Sequence, residues 1–174
     1  GPNGTGFVYV APELVARLEP VWLGDKHFER KEADIESLSR FESMGTSDVV
    51  RWHGLTAAIQ LYEELGPDLI AQRQNELIRY LRRRLDHELP VHYRTPIGEN
   101  SDYMTALLTF KFPRESVTVP DLTTALWENF SIGVRDDFAG EHPGAGIRVS
   151  CHYSVKESDL DALVDALKTL VKQN

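Results

Sequence analysis

Gly146-Ile147-Arg148-Val149-Ser150-Cys151-His152-Tyr153, followed by Ser154, Glu157 and the periodic Leu160, Leu163, Val164, Leu167, Leu170 and Val171, is the stretch on which the fold turns. Ile147 to Cys151 predicts a short strand. The leucines and valines beyond it recur at helical spacing, and Ser154 with Glu157 predicts a capping box at the start of that helix. An arginine between Ile147 and Val149 in a short strand is out of place as plain core. A guanidinium offers a two-pronged donor to a carboxylate and stays charged at any working pH. Arg148 is therefore a candidate carboxylate anchor, with a buried ion pair as the structural alternative.

Working back from this stretch, Thr105 to Phe112 alternates. Ala106, Leu108, Phe110 and Phe112 share one side, and Thr105, Thr109 and Lys111 the other, the period of a half-buried strand. Pro120 suits the first turn of a helix running to Asn129, and Ile132 to Arg135 predicts another short strand. A long helix is expected from about Pro67 to Glu88. Its run Arg79, Tyr80, Leu81, Arg82, Arg83, Arg84 reads as a solvated face opposite an apolar stripe of Leu77, Ile78, Leu81 and Leu85. Before it, a helix capped by Thr46 or Ser47 carries Val50, Leu55, Ala58, Ile59, Leu61 and Leu65 up to the Gly66-Pro67 stop. Helix, strand, helix, strands, helix in this order describe an α+β layer: a small, partly antiparallel sheet covered on one side by helices.

Toward the start, Pro12 to Leu18 predicts a short helix and Pro20 to Gly24 an extended piece, with Asp25 to Arg40 polar enough for a loop. The opening Gly1-Pro2-Asn3-Gly4-Thr5-Gly6 is turn chemistry leading into an apolar strand, Phe7 to Val10. A glycine-rich turn feeding a buried-type strand reads as a chain entered midway through a larger fold.

Composition narrows the function classes. The 174 residues are 41% hydrophobic and 26% charged, ordinary for a globular protein, and the net charge of -8 speaks against nucleic-acid or anionic-membrane surfaces. One cysteine, Cys151, excludes an internal disulfide, and no apolar run reaches membrane-span length. A cytoplasmic setting is the default expectation. The histidines at 27, 53, 87, 92, 142 and 152 have no metal-ligand spacing, so no metal site is expected. Cys151 has no evident activating base and reads as an inert buried thiol. His152 and Tyr153 are either pocket-lining or structural.

Three pieces together resemble the class V aminotransferase family, which includes isopenicillin N epimerases and cysteine desulfurases. Gly1 to Val10 is similar to the stretch following the Schiff-base lysine in those enzymes. Phe41-Glu42-Ser43-Met44-Gly45-Thr46-Ser47-Asp48 resembles the element that opens the helix leading to their small domain. Gly146 to Tyr153, with Ser154, Glu157 and Asp161, is similar to their carboxylate-binding segment. The resemblance implies the pyridoxal-phosphate (PLP) transferase fold, in which residues 1–45 end the large domain and residues 46–174 form the C-terminal small domain with its connecting helix. It implies PLP as the parent enzyme's cofactor, an amino-acid substrate and a homodimer. Gly45 and Thr46 are implied to reach the cofactor phosphate, and Arg148 the substrate carboxylate. A hydroxyl and free N–H groups at a helix N-terminus suit a phosphate on physical grounds as well, although Thr46 as a plain cap is the other reading.

None of Lys26, Lys31, Lys111, Lys156, Lys168 and Lys172 stands ahead of the Gly1 to Val10 stretch. No catalytic residue is therefore assigned, and the chain alone is expected to be inactive. Gly45 to Trp52 looks closer to the epimerase-like members than to desulfurases, and Cys151 in a predicted strand disfavours sulfur transfer through it. A non-catalytic interaction or dimerisation domain descended from the family is the rival expectation.

Overall fold

A computed structural model describes residues 1–19, 38–41, 48–95, 105–136 and 146–172. The chain divides into two compact units, Gly1–Leu65 and Gly66–Asn174. The expected boundary between residues 45 and 46 lies outside the described residues, as do the extended piece from Pro20 to Gly24 and most of the loop after it.

In the first unit, Pro2 to Thr5 closes a turn: the Thr5 amide donates to the Pro2 carbonyl at 3.3 Å, and Gly4 takes the positive φ of 78° that such a turn requires. Helix α1 covers Pro12–Val15, and a 3-10 turn spans Leu38–Phe41. Helix α2 spans Val49–Leu65 and starts at Asp48, whose carboxylate accepts the Val50 amide at 3.1 Å; Thr46 and Ser47, the expected caps, lie outside the described residues. Gly54 of α2 sits so close to the turn that a Cβ there would come within 2.6 Å of the Pro2 ring. The expected strand over Phe7 to Val10 does not form. This segment pairs with no strand among the described residues, and Phe7, Val8 and Tyr9 are exposed. Its apolar character signals burial, but burial needs a partner surface.

The second unit holds α3 (Pro67–Glu88), β1 (His92–Tyr93), β2 (Leu107–Lys111), α4 (Leu122–Phe130), β3 (Arg135–Asp136), β4 (Gly146–Ser150) and α5 (Glu157–Leu170). The described strands form one sheet in the order β1-β2-β4-β3, with each neighbouring pair antiparallel. The period-two reading of β2 holds: Leu108, Phe110 and Phe112 are buried, while Leu107 and Lys111 are exposed. In β4, Ile147 and Val149 join the same core. The predicted stripe of α3, Leu77, Ile78, Leu81 and Leu85, is fully buried, and Leu122 and Leu126 of α4 with Leu160, Leu163, Val164 and Leu167 of α5 close the layer. Helices of this unit thus cover one face of the sheet, and the other face carries Thr109 and Arg148, with no described element of the same unit over it.

Element starts shift by one to three residues, each for a local reason. Helix α4 is capped by Asp121 and not opened by Pro120; the Asp121 carboxylate accepts the Thr124 amide at 2.6 Å. Burial pushes this carboxyl up, but the hydrogen bonds from Thr123 and Thr124 outweigh it and hold the group low. β3 begins only at Arg135, because Ser131 turns left-handed with φ 57° and the Ile132 amide still bonds the Leu126 carbonyl at 3.1 Å. The Ser154–Glu157 capping box is not formed. Helix α5 starts after Lys156, whose amide donates to Asp159 at 2.9 Å, while Ser154 bonds His152 and Glu157 bonds Arg73.

The basic run on α3 is less a free solvated face than a seam to α5. Arg84 bonds Glu88 and Asp161, Tyr80 donates to Asp161 at 2.7 Å, and Lys168 of α5 donates to Glu88 at 2.6 Å. Hydrogen bonds from Arg84 and then Lys168 bring the Glu88 carboxyl down to about 2, and the Arg73 bond does the same for Glu157. Because both folded-state values lie below the ordinary glutamate value, the stabilisation is present above about pH 4.5 and is lost as pH falls toward 2. Resistance to urea is therefore expected to fall between pH 5 and 2. The double substitution Glu88→Gln with Glu157→Gln is expected to flatten that fall; an undiminished pH dependence in the double variant contradicts the assignment.

Candidate functional site

Arg148 lies at the middle of β4, between two strands. Its Cα partners are Thr109 on β2 and Arg135 on β3. Since Ile147 and Val149 point into the core, strand alternation sends Arg148 to the uncovered face. There it borders an open depression of about 450 Å³. Arg94 and Thr95, just past β1, form one side; Thr105, Leu107 and Thr109 form the floor along β2; Asp136 of β3 completes the lining.

The position of Thr95 is fixed by backbone bonds. The Arg94 and Thr95 amides both donate to the Thr109 carbonyl, at 2.9 and 3.3 Å, and the Thr109 amide donates to the Thr95 hydroxyl oxygen at 2.9 Å. With its oxygen accepting from that amide, the Thr95 hydroxyl keeps its own proton as a further donor. The Arg148 Nε is buried and has no hydrogen-bond partner among the described residues. A buried N–H without a partner costs roughly 1–3 kcal/mol. Such a cost is compensated when an acceptor arrives, and a half-buried guanidinium in a hydroxyl-lined depression takes a carboxylate or a similar small anion.

Of the residues named from sequence, Arg148 is in this depression, whereas Gly45 and Thr46 lie outside the described residues. His152 and Tyr153 are not on its lining. They stack on each other with ring centroids 3.9 Å apart, and the His152 Nδ1 is bonded to the Ser154 hydroxyl at 2.8 Å in the turn before α5. Arg94, Thr95 and Asp136 went unrecognised in the sequence. Only the pairing that sets them beside Thr109 and Arg148 reveals them, and the one available signal was the polar side of the β2 alternation.

Cys151 follows β4 and is completely buried, its amide donating to the Ala106 carbonyl at 2.7 Å. Burial alone pushes the thiol up to about 11. At pH 7 roughly one such thiol in ten thousand is ionised, and the thiolate is the nucleophile. Ellman's reagent is expected to leave the folded chain unmodified and to titrate one thiol once urea is added. Stoichiometric reaction of the folded chain at the rate of free cysteine contradicts this burial.

Among the described lysines, Lys168 is held by Glu88, and Lys111, Lys156 and Lys172 lie exposed, none of them on the lining of the depression.

Isopenicillin N epimerase of Streptomyces clavuligerus is 28% identical over 179 residues, covering 97% of this chain and 44% of its own length. A probable cysteine desulfurase of Staphylococcus epidermidis is 29% identical over 185 residues, covering 97% and 42%. The chain thus spans less than half the length of these relatives, and the two identities do not separate epimerase from desulfurase. In fold, the chain resembles the cystine C-S lyase C-DES, solved in complex with cysteine persulfide, at a TM-score of 0.71 and 22% identity over 94% of this chain and 42% of that one. A C-DES variant solved with glycine covalently linked to its PLP cofactor gives 0.67 over 91% and 40%. Residues 1–163 match the description "Aminotransferase class-V", and the chain belongs to that family.

Proposed function

We propose that this chain supplies the substrate-carboxylate anchor of a PLP-dependent enzyme acting on an amino acid, of the epimerase, C–S lyase or desulfurase type. The observation that carries the reading is the buried, partnerless Nε of Arg148 at the edge of a hydroxyl-lined depression. Arg148 grips the α-carboxylate and so fixes the orientation of the bonds at Cα. The Thr95 hydroxyl adds a donor, and the core beneath β2 and β4 keeps both from drifting. Gly45 and Thr46 contribute to holding the cofactor phosphate. When bound, PLP supplies the electron sink that lets a bond at the substrate Cα break. None of the lysines of this chain forms the imine, so the 174 residues by themselves are inactive.

The test is to incubate the purified chain with PLP, reduce with borohydride and map adducts by mass spectrometry. The expected result is no stoichiometric adduct at any single lysine and no turnover of amino acids. One fully modified lysine overturns the proposed inactivity.

A second reading, an interaction or dimerisation unit, is favoured by the first unit. No residue of α2 is buried, although it carries Val50, Trp52, Leu61 and Tyr62, and Phe7, Val8 and Tyr9 of the same unit are exposed as well. A helix so apolar is stable when covered. Sedimentation at increasing concentration separates the readings, since a chain that stays monomeric throughout removes the homodimer.

A further inference from the structure

Past Tyr93 the pairing of β1 with β2 continues by one step and then changes character. The register of His92 with Lys111 and Tyr93 with Phe110 sets Arg94 opposite Thr109. In a regular antiparallel ladder these two residues would exchange both backbone hydrogen bonds. One of the two is made, the Arg94 amide donating to the Thr109 carbonyl at 2.9 Å. The return bond goes elsewhere. The Thr109 amide donates to the Thr95 hydroxyl oxygen at 2.9 Å, and the Thr95 amide reaches the same Thr109 carbonyl at 3.3 Å. Two residues thus oppose one, the pattern of a β-bulge, a device that re-aims side chains and ends strand pairing.

The bulge changes what the sheet face carries. Under strict alternation Arg94 would share the face of Thr109, and Thr95, opposite the fully buried Leu108, would turn into the core. The extra residue resets that alternation, and Arg94 and Thr95 both line the depression beside Arg148. The strand neighbour of Arg148 is fixed by the same bonds. Both backbone polar groups of Thr109 turn toward the bulge, so Thr109 and Arg148 form a non-hydrogen-bonded pair, the kind in which facing side chains stand closest.

We propose that Thr95 is a positioning residue for the carboxylate anchor: its hydroxyl oxygen takes the place of a backbone carbonyl, closes the bulge, and holds β2 in the register that sets Thr109 against Arg148. The proposal rests on the reading of Arg148 given above. Valine has the shape of threonine without the oxygen, and it favours a regular, half-buried strand. Thr95→Val therefore leaves the Thr109 amide without its acceptor and draws position 95 toward the core. Serine keeps the acceptor.

The experiment measures hydrogen exchange at the Thr109 amide and butyrate affinity, both by NMR, in the isotope-labelled 174-residue chain and its variants. Thr95→Val is expected to exchange the Thr109 amide about tenfold faster and to bind butyrate about tenfold more weakly, each one hydrogen bond's worth. Thr95→Ser is expected to match wild type in both. Weaker binding by Thr95→Val with the Thr109 amide still protected makes Thr95 a direct contact only and overturns the positioning role. An unprotected amide with wild-type affinity makes the bulge purely structural and overturns it too. Loss of either property in Thr95→Ser does the same, whether or not Thr95→Val folds, which its spectral dispersion shows. No butyrate binding by wild type, or unchanged binding in Arg148→Met, overturns the carboxylate reading and the positioning role together.

Discussion

Phe110→Ala is expected to destabilise the second unit by about 3–5 kcal/mol, the cost of emptying a large aromatic site in a packed core. Phe110 is fully buried near the end of β2, edge-on to Phe112 at 5.7 Å and to Tyr93 at 6.3 Å, and directly opposite Ile147. Neighbours on two strands and on the helices above are too constrained to collapse into the space. Against a net stability of about 5–15 kcal/mol for a typical domain, the loss is large. Phe110 also lies beside Thr109, on the reverse of the sheet face that carries Arg148, so the variant should loosen the depression as well as the core. Urea unfolding measures the first effect. A loss below about 1 kcal/mol shows that β2 is not the strand around which the core is built.

Arg148→Met is expected to do the opposite to stability while abolishing carboxylate binding. Methionine keeps the apolar stem but removes the partnerless Nε and the charge facing Arg135. Relief of an unsatisfied buried N–H raises stability by about 1 kcal/mol. If Arg148 instead belonged to a buried structural ion pair, losing it would strand the other charge at a cost of about 3–5 kcal/mol. The signs differ, and urea midpoints decide between them. Functional residues that cost stability in the absence of their ligand are a common trade in binding sites.

Much of the second unit was legible because its signals are long and periodic. The leucine and isoleucine stripe of α3 and the alternation of β2 are repeated choices that one local exception cannot spoil. Element starts were less legible, since they depend on which side chain happens to reach a free amide. Asp121 displaced Pro120 as the start of α4, and Glu157 went to Arg73 on another helix instead of closing a box with Ser154. Phe7 to Val10 misled because apolarity records a need for burial without naming the partner.

The candidate site was legible at a single residue. Arg148 stood out as a charge interrupting an apolar strand, a contradiction visible locally. Arg94 and Thr95 carry no such mark, and their place beside Thr109 comes from a strand pairing across more than a dozen residues of chain.

The most direct measurement of the central claim follows the Arg148 Nε–H itself. In a proton–nitrogen NMR spectrum its signal is assigned by its disappearance in Arg148→Met, and the wild-type chain is then titrated with butyrate. A saturable downfield shift of this proton, as the partnerless donor gains an acceptor, is the predicted result. A signal that stays fixed while butyrate shifts other residues would contradict it.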